Sequence, residues 1–132
     1  MKVKGLDGQI HTWQITTKNK YESPNKSEYH LEARALLKQL FPKFILLEEV
    51  FLPGCDLYAD FYIPLVNIVV EVHGEQHYEY NEFFHGSKSN FLAGKQRDNN
   101  KRLWCELNNI SYVELPHYES IKEWRERIVN RK

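Results

Sequence analysis

Asp60 stands inside the otherwise apolar run LYADFYI (57–63), and Glu71 lies two residues before the end of the next apolar run, NIVVEVH (67–73). An ionised carboxylate in a buried strand costs several kcal/mol unless a cation, a hydrogen-bond network or a raised pKa compensates it, so each of these residues calls for a partner. With a short PLV connection between the runs, the two strands read as hairpin neighbours that set Asp60 and Glu71 nearly opposite each other. Two carboxylates aimed at one point repel unless a divalent ion lies between them, and oxygen ligands of this kind suit Mg²⁺ or Mn²⁺. A phosphodiester is the natural substrate for such a centre, with an imidazole taking the proton of the attacking water. His73 and His77 are the available bases, since histidine titrates near neutral pH.

The same two histidines, four residues apart, allow a zinc reading and hence a small zinc hydrolase. The segment is His-Gly-Glu-Gln-His and follows a β-branched run, so a strand ending in a turn fits better than a zinc-binding helix. Farther along, GKQRDNNKR carries Asp98 with Lys95 and Lys101 one helical turn to either side. There Asp98 could orient a histidine or help to hold a metal, and Lys95, Arg97 and Lys101 could contact phosphate. Glu32 reaches the same cluster if its helix packs across the sheet near the strand ends.

These residues need elements to hold them. LDGQIHTWQI has an Asp-Gly turn signal followed by alternation, which predicts a hairpin over residues 1–17. A polar, proline-containing linker follows. Ser27 or Asn25 caps a helix over 28–41 with Tyr29, Ala33, Leu36 and Leu40 on one face. Strands are expected over 44–52, 57–63 and 67–73, the third central and covered on both sides. An aromatic loop then runs to about residue 90, and a helix from residue 91 or 95 to 108 puts Leu103 and Leu107 on one face. The strand SYVELP and a final helix with Ile121, Trp124 and Ile128 close the chain. Hairpin-connected strands followed by a helical crossover imply an α/β fold with a mixed sheet flanked by helices. The reading is one compact domain, with 1–26 as hairpin and linker and 27–132 as its catalytic part.

At 132 residues with 42% apolar side chains the chain is sized for one core. The formal net charge is zero, which argues against a protein that coats nucleic acid. The charge is nevertheless segregated. Counting Lys and Arg against Asp and Glu, residues 1–27 carry five against two, 28–85 three against ten and 86–105 five against one. An acidic centre between basic segments suits a metal site beside phosphate-gripping surfaces. Cys55 and Cys105 form no CxxC pair, and neither a signal peptide nor a spanning segment is evident, so a cytoplasmic protein without membrane contact is expected.

Taken together, the helix with Glu32, the strand DFYIP, the strand running into VEVHGEQHY and the later RDNNKRLWCELNNISYVELP resemble the PD-(D/E)XK nuclease superfamily. The likeness covers about residues 27–116 and is greatest to the branch of very-short-patch-repair and EDxHD homing endonucleases. It implies a restriction-endonuclease-like αβββαβ core and a Mg²⁺-dependent (or Mn²⁺-dependent) DNA endonuclease or nickase of phage or mobile-element type, cutting one strand as a monomer or both as a homodimer. By the resemblance Asp60 is the principal metal ligand, Glu71 the second acidic position, His77 the water-activating histidine, Glu32 the helix glutamate and Asp98 the late aspartate. His73 replaces the lysine usual two residues after the acid, as in the histidine-using branch. The cysteines of the repair enzymes' zinc site are missing, which points away from mismatch repair. A nuclease-like domain that binds nucleic acid without cutting, or cuts only with a partner, is the alternative.

Overall fold

A computed structural model describes residues 1–15, 22–24, 26–74 and 88–131. His77 and the aromatic loop after it therefore lie outside the described residues, as does much of the expected linker. Strands β1 (Lys2–Lys4) and β2 (Ile10–Thr12) form an antiparallel hairpin, followed by helix α1 (Glu28–Leu40). Strands β3 (Leu47–Leu52), β4 (Leu57–Ile63) and β5 (Ile68–His73), helix α2 (Lys88–Leu107), strand β6 (Ser111–Pro116) and helix α3 (Ile121–Val129) complete the order. The sheet runs β3-β4-β5-β6, antiparallel except for the parallel β5–β6 pair that α2 connects. The α-β-β-β-α-β-α order, mixed sheet, N-terminal hairpin and central third strand are those expected from the sequence.

Two cores cover the sheet, and together they fix where the strand ends open. Phe61, Ile63, Ile68, Val70 and Leu115 pack with Ala33, Leu36 and Leu37 of α1 and Trp124 and Ile128 of α3. On the other side Leu52, Ala59, Tyr62 and Val69 pack with Trp104 and Cys105 of α2 and with Val3 and Trp13 of the hairpin. The hairpin is fastened to the β3–β4 turn by backbone: Leu6 N–H donates to Gly54 O (2.9 Å). Gly54 has φ +81°, and a Cβ there would stand 2.3 Å from Gly5 Cα, so this approach needs glycine.

The structure rotates two helices relative to the sequence reading. On α1 the buried face is His30, Ala33, Leu36 and Leu37, while Tyr29 is 38% exposed. On α2 the buried residues are Trp104 and Cys105, whereas Leu103 and Leu107 are 39% and 42% exposed. Trp104 wins the interior because its ring fills more volume and its indole N–H finds Pro53 O at 2.8 Å. β3 starts at Leu47, later than expected, with Phe44 and Ile45 exposed before it. Helix α3 begins in a capping box of Ser120 and Glu123. Ser120→Ala should cost about 1 kcal/mol in urea unfolding, and an unchanged midpoint would show that packing of Trp124 alone holds this helix.

Candidate active site

β4 and β5 part where the two strand carboxylates meet. Their ladder pairs Ile63 with Ile68, Tyr62 with Val69 and Phe61 with Val70, so Asp60 and Glu71 form the next facing position, but no backbone pair forms there. Carboxylates take the amides instead. Asp60 N–H donates to Glu71 Oε2 (2.6 Å), and Val72 N–H donates to Asp60 Oδ2 (2.9 Å). On its other side Asp60 stands across from Glu49, between the Glu48–Phe61 and Val50–Ala59 pairs, and again no ladder pair forms. Glu49 has φ +54°, a left-handed conformation that costs a non-glycine residue on the order of 1–3 kcal/mol. The turn it imposes lets Leu47 and Val50, three residues apart, enter the same core.

Lys101 approaches from α2 and donates to Glu71 Oε1 (2.5 Å). The Glu71 side chain is 2% exposed and that of Lys101 16%. Burial, and then the neighbouring Asp60 charge, push the Glu71 carboxyl up to about 8, with Lys101 opposing the rise. Burial works against the Lys101 charge, but the attraction of Glu71 outweighs it and holds the ammonium above its usual range. Glu71 thus sits between one like charge and one opposite charge, in a place where its own charge is costly.

A cleft of about 230 Å³ opens on this fork, lined by Lys26, Ser27, His30, Asp60, Glu71, Val72, His73 and Lys101. Ser27 caps α1 and Lys26 pairs with Glu49, so the start of α1 forms the wall facing the strand carboxylates. A roomier cleft of about 290 Å³ lies between the hairpin and β3, lined by Trp13, Phe51 and Tyr58 among others, but among its described lining residues Glu49 is the one carboxylate. The chemistry-bearing groups belong to the smaller cleft.

His73, two residues after Glu71, lies on the same side of β5 and is 4% exposed. Its Nδ1 lies 3.1 Å from Glu114 Oε1 of β6, and its Nε2 3.9 Å from Asp98 Oδ1 of α2. Asp98 and Lys101, one helical turn apart on α2, therefore meet His73 and Glu71 in the reverse of their order along β5. Lys95 shares a cleft of about 180 Å³ with His73, Asp98 and Glu114. Arg97 is exposed and lines neither of these two clefts.

Glu32 is exposed and does not join the cluster. Helix phase decides this: α1 turns His30 and Ala33 inward, and Glu32, two residues from His30, falls on the solvent side. The inward place is held by a group the sequence reading missed. His30 Nε2 lies 2.9 Å from Glu48 Oε1. Arg34 Nε and Nη2 hold the same carboxylate from 2.6 and 2.9 Å, and Ser23 N–H donates to it. Burial would raise the Glu48 pKa, but the Arg34 and His30 hydrogen bonds overcome that and keep it below the usual carboxylate range. The available signal was the spacing of His30 and Arg34 on one helix face, together with a glutamate inside FILLEEVFL.

The donor set tests what the fork could hold. Asp60 Oδ1 accepts no hydrogen bond from a described residue, and Asp60, Glu71 and Val72 line one opening. Two carboxylates from adjacent strands, one buried where its charge is unfavourable, suit a hard divalent cation that completes its shell with water. No cluster of three or more His, Cys, Asp or Glu side chains suited to a metal occurs among the described residues. The zinc reading depends on His77, outside those residues.

No helix among the described residues is long and apolar enough to cross a membrane. No protein-family model matches the chain, and no solved structure matches it. The chain is similar to an uncharacterized protein of Invertebrate iridescent virus 3, 36% identical over 64 residues, which is 48% of this chain and 33% of that protein. An uncharacterized protein of Invertebrate iridescent virus 6 is 37% identical over 62 residues, 47% of this chain and 32% of its own length. One of Frog virus 3 is 34% identical over 65 residues, 48% of this chain and 42% of that protein. The matched segments thus span between about a third and two-fifths of these viral proteins, and about half of this chain.

Proposed function

We propose that the chain is a Mg²⁺- or Mn²⁺-dependent nuclease that hydrolyses DNA phosphodiesters at the β4–β5 fork. The observation that carries this reading is the convergence of Asp60, Glu71 and Lys101 in one polar cleft at the end of two parted strands. Asp60 and Glu71 would hold the cation, which when bound polarises the phosphorus centre and stabilises the leaving oxygen. Lys101 offsets the charge of Glu71 and, lining the cleft, would meet a phosphate oxygen that enters it. Lys26 adds a second cation on the opposite wall, and Lys95 a third beside Asp98. His73 and Asp98 brace α2 against β5, and His77, the water-activating histidine that the family likeness implies, lies outside the described residues.

One feature favours a second reading, a nuclease-like domain that binds nucleic acid without cutting. The Lys101 ammonium already compensates Glu71, which weakens the fork's hold on a cation. Cleavage of supercoiled plasmid DNA with Mg²⁺, Mn²⁺ or EDTA separates the two. Nicking or linearisation with either metal and none with EDTA is expected of the enzyme. Retarded mobility of uncut DNA under every condition would favour the binding domain.

A further inference from the structure

We infer that His30 is the cleft's proton-transfer base and Glu48 the residue that positions it, an assignment that rests on the nuclease reading of the same cleft. Two contacts place the ring. Nε2 meets Glu48 at 2.9 Å, and the ring stacks on Phe61 with centroids 4.4 Å apart. Phe61 is the residue after Asp60 on β4, so the imidazole lies beside the strand that carries the carboxylate, on the wall opposite Lys101.

Glu48 decides which nitrogen carries the proton. Arg34 grips both of its oxygens, so Glu48 is an ionised acceptor and His30 must present Nε2–H to it. Nδ1 is then the lone-pair nitrogen. It has no partner among the described residues, and His30 lines the cleft. A buried carboxylate holding one imidazole nitrogen while the other faces a reaction site is the arrangement that fixes a tautomer and stabilises the imidazolium once formed. His73 is less suited, because Glu114 occupies its Nδ1 side and Asp98 flanks its Nε2.

In the step itself a water oxygen attacks phosphorus while its proton passes to His30 Nδ1. The new P–O bond forms, the bond to the leaving oxygen breaks, and that oxygen takes a proton from solvent. His30 then returns its proton to solvent, so no oxidant or further reactant is needed.

His30→Gln, which retains a side-chain donor for Glu48, tests the assignment beside wild type, Asp60→Asn and Arg34→Lys. Arg34→Lys loosens the same wall without removing the base. Plasmid cleavage by His30→Gln should fall about 100-fold or more while affinity for DNA, measured with Ca²⁺ in place of Mg²⁺, changes less than about threefold. Arg34→Lys should lose much less, and added imidazole should restore part of the rate to His30→Ala. The assignment is overturned if His30→Gln cuts within about threefold of wild type, or loses no more than Arg34→Lys does. Those results with Asp60→Asn inactive would remove His30 alone, whereas wild type that cuts no DNA under any metal condition would remove the nuclease reading with it.

Discussion

Asp60→Asn should abolish metal-dependent plasmid cleavage, by about 1,000-fold or more if the fork holds the cation, and should leave a protein that is more stable than wild type. Both effects come from one charge. The asparagine oxygen can still accept the Val72 N–H that Asp60 Oδ2 now takes, so the parted strands keep their link. What disappears is a negative charge beside Glu71, which is buried and already pushed up to about 8 by burial and by Asp60. A raised carboxyl pKa is a stability cost that grows with pH: the folded state binds the proton more tightly than the unfolded chain, and the advantage is lost as pH rises from the ordinary value of 4.5 to about 8. The variant's gain, about 0.5–2 kcal/mol, should therefore be smallest in acid and largest above pH 8. Thermal unfolding at several pH values, run on the sample used for cleavage, reads both effects. Loss of cutting together with a lowered Tm would show Asp60 to be a structural residue, and cutting at the wild-type rate would move the centre elsewhere.

The sequence made this pair readable because a carboxylate in an apolar strand is anomalous by itself, and a three-residue connection leaves little freedom in the register of Asp60 against Glu71. Lys101 was visible only as one of several cations on a helix. Its selection for Glu71, thirty residues away, follows from how far α2 rotates about its axis, and Trp104 sets that rotation by entering the core where Leu103 and Leu107 were expected to pack. The same limit explains Glu32. Tyr29, Ala33, Leu36 and Leu40 describe an apolar stripe as well as His30, Ala33, Leu36 and Leu37 do, and shifting between them turns His30 inward. Periodicity weighs apolar residues, and a buried histidine carries no weight in it. The order of elements does not depend on such phases, which is why the architecture was more legible than the walls of its cleft.

Arg34→Met should produce the largest loss of stability, about 3–5 kcal/mol at pH 8, a substantial part of the 5–15 kcal/mol that holds a domain of this size together. Arg34 is the chief counterion of Glu48, whose side chain is 2% exposed, and it meets both carboxylate oxygens. In the wild type the depressed Glu48 pKa contributes stability that is present above 4.5 and lost as pH falls through the lower folded value. Without the guanidinium, burial becomes the dominant influence and the sign reverses. Glu48 then prefers its proton, and the variant loses stability as pH rises, so its deficit should shrink between pH 8 and pH 5. Arg34→Met with Glu48→Gln should recover much of the loss, since a neutral amide removes the stranded charge and still accepts from His30. Urea unfolding of both variants at the two pH values tests the chain of cause. A deficit below about 1 kcal/mol, or one that does not change with pH, would mean that the Arg34–Glu48 pair is solvated and that His30 is held by Phe61 alone. The pH dependence expected here ties the wall to the chemistry, because the charge that costs stability when stranded is the charge that would stabilise an imidazolium at His30.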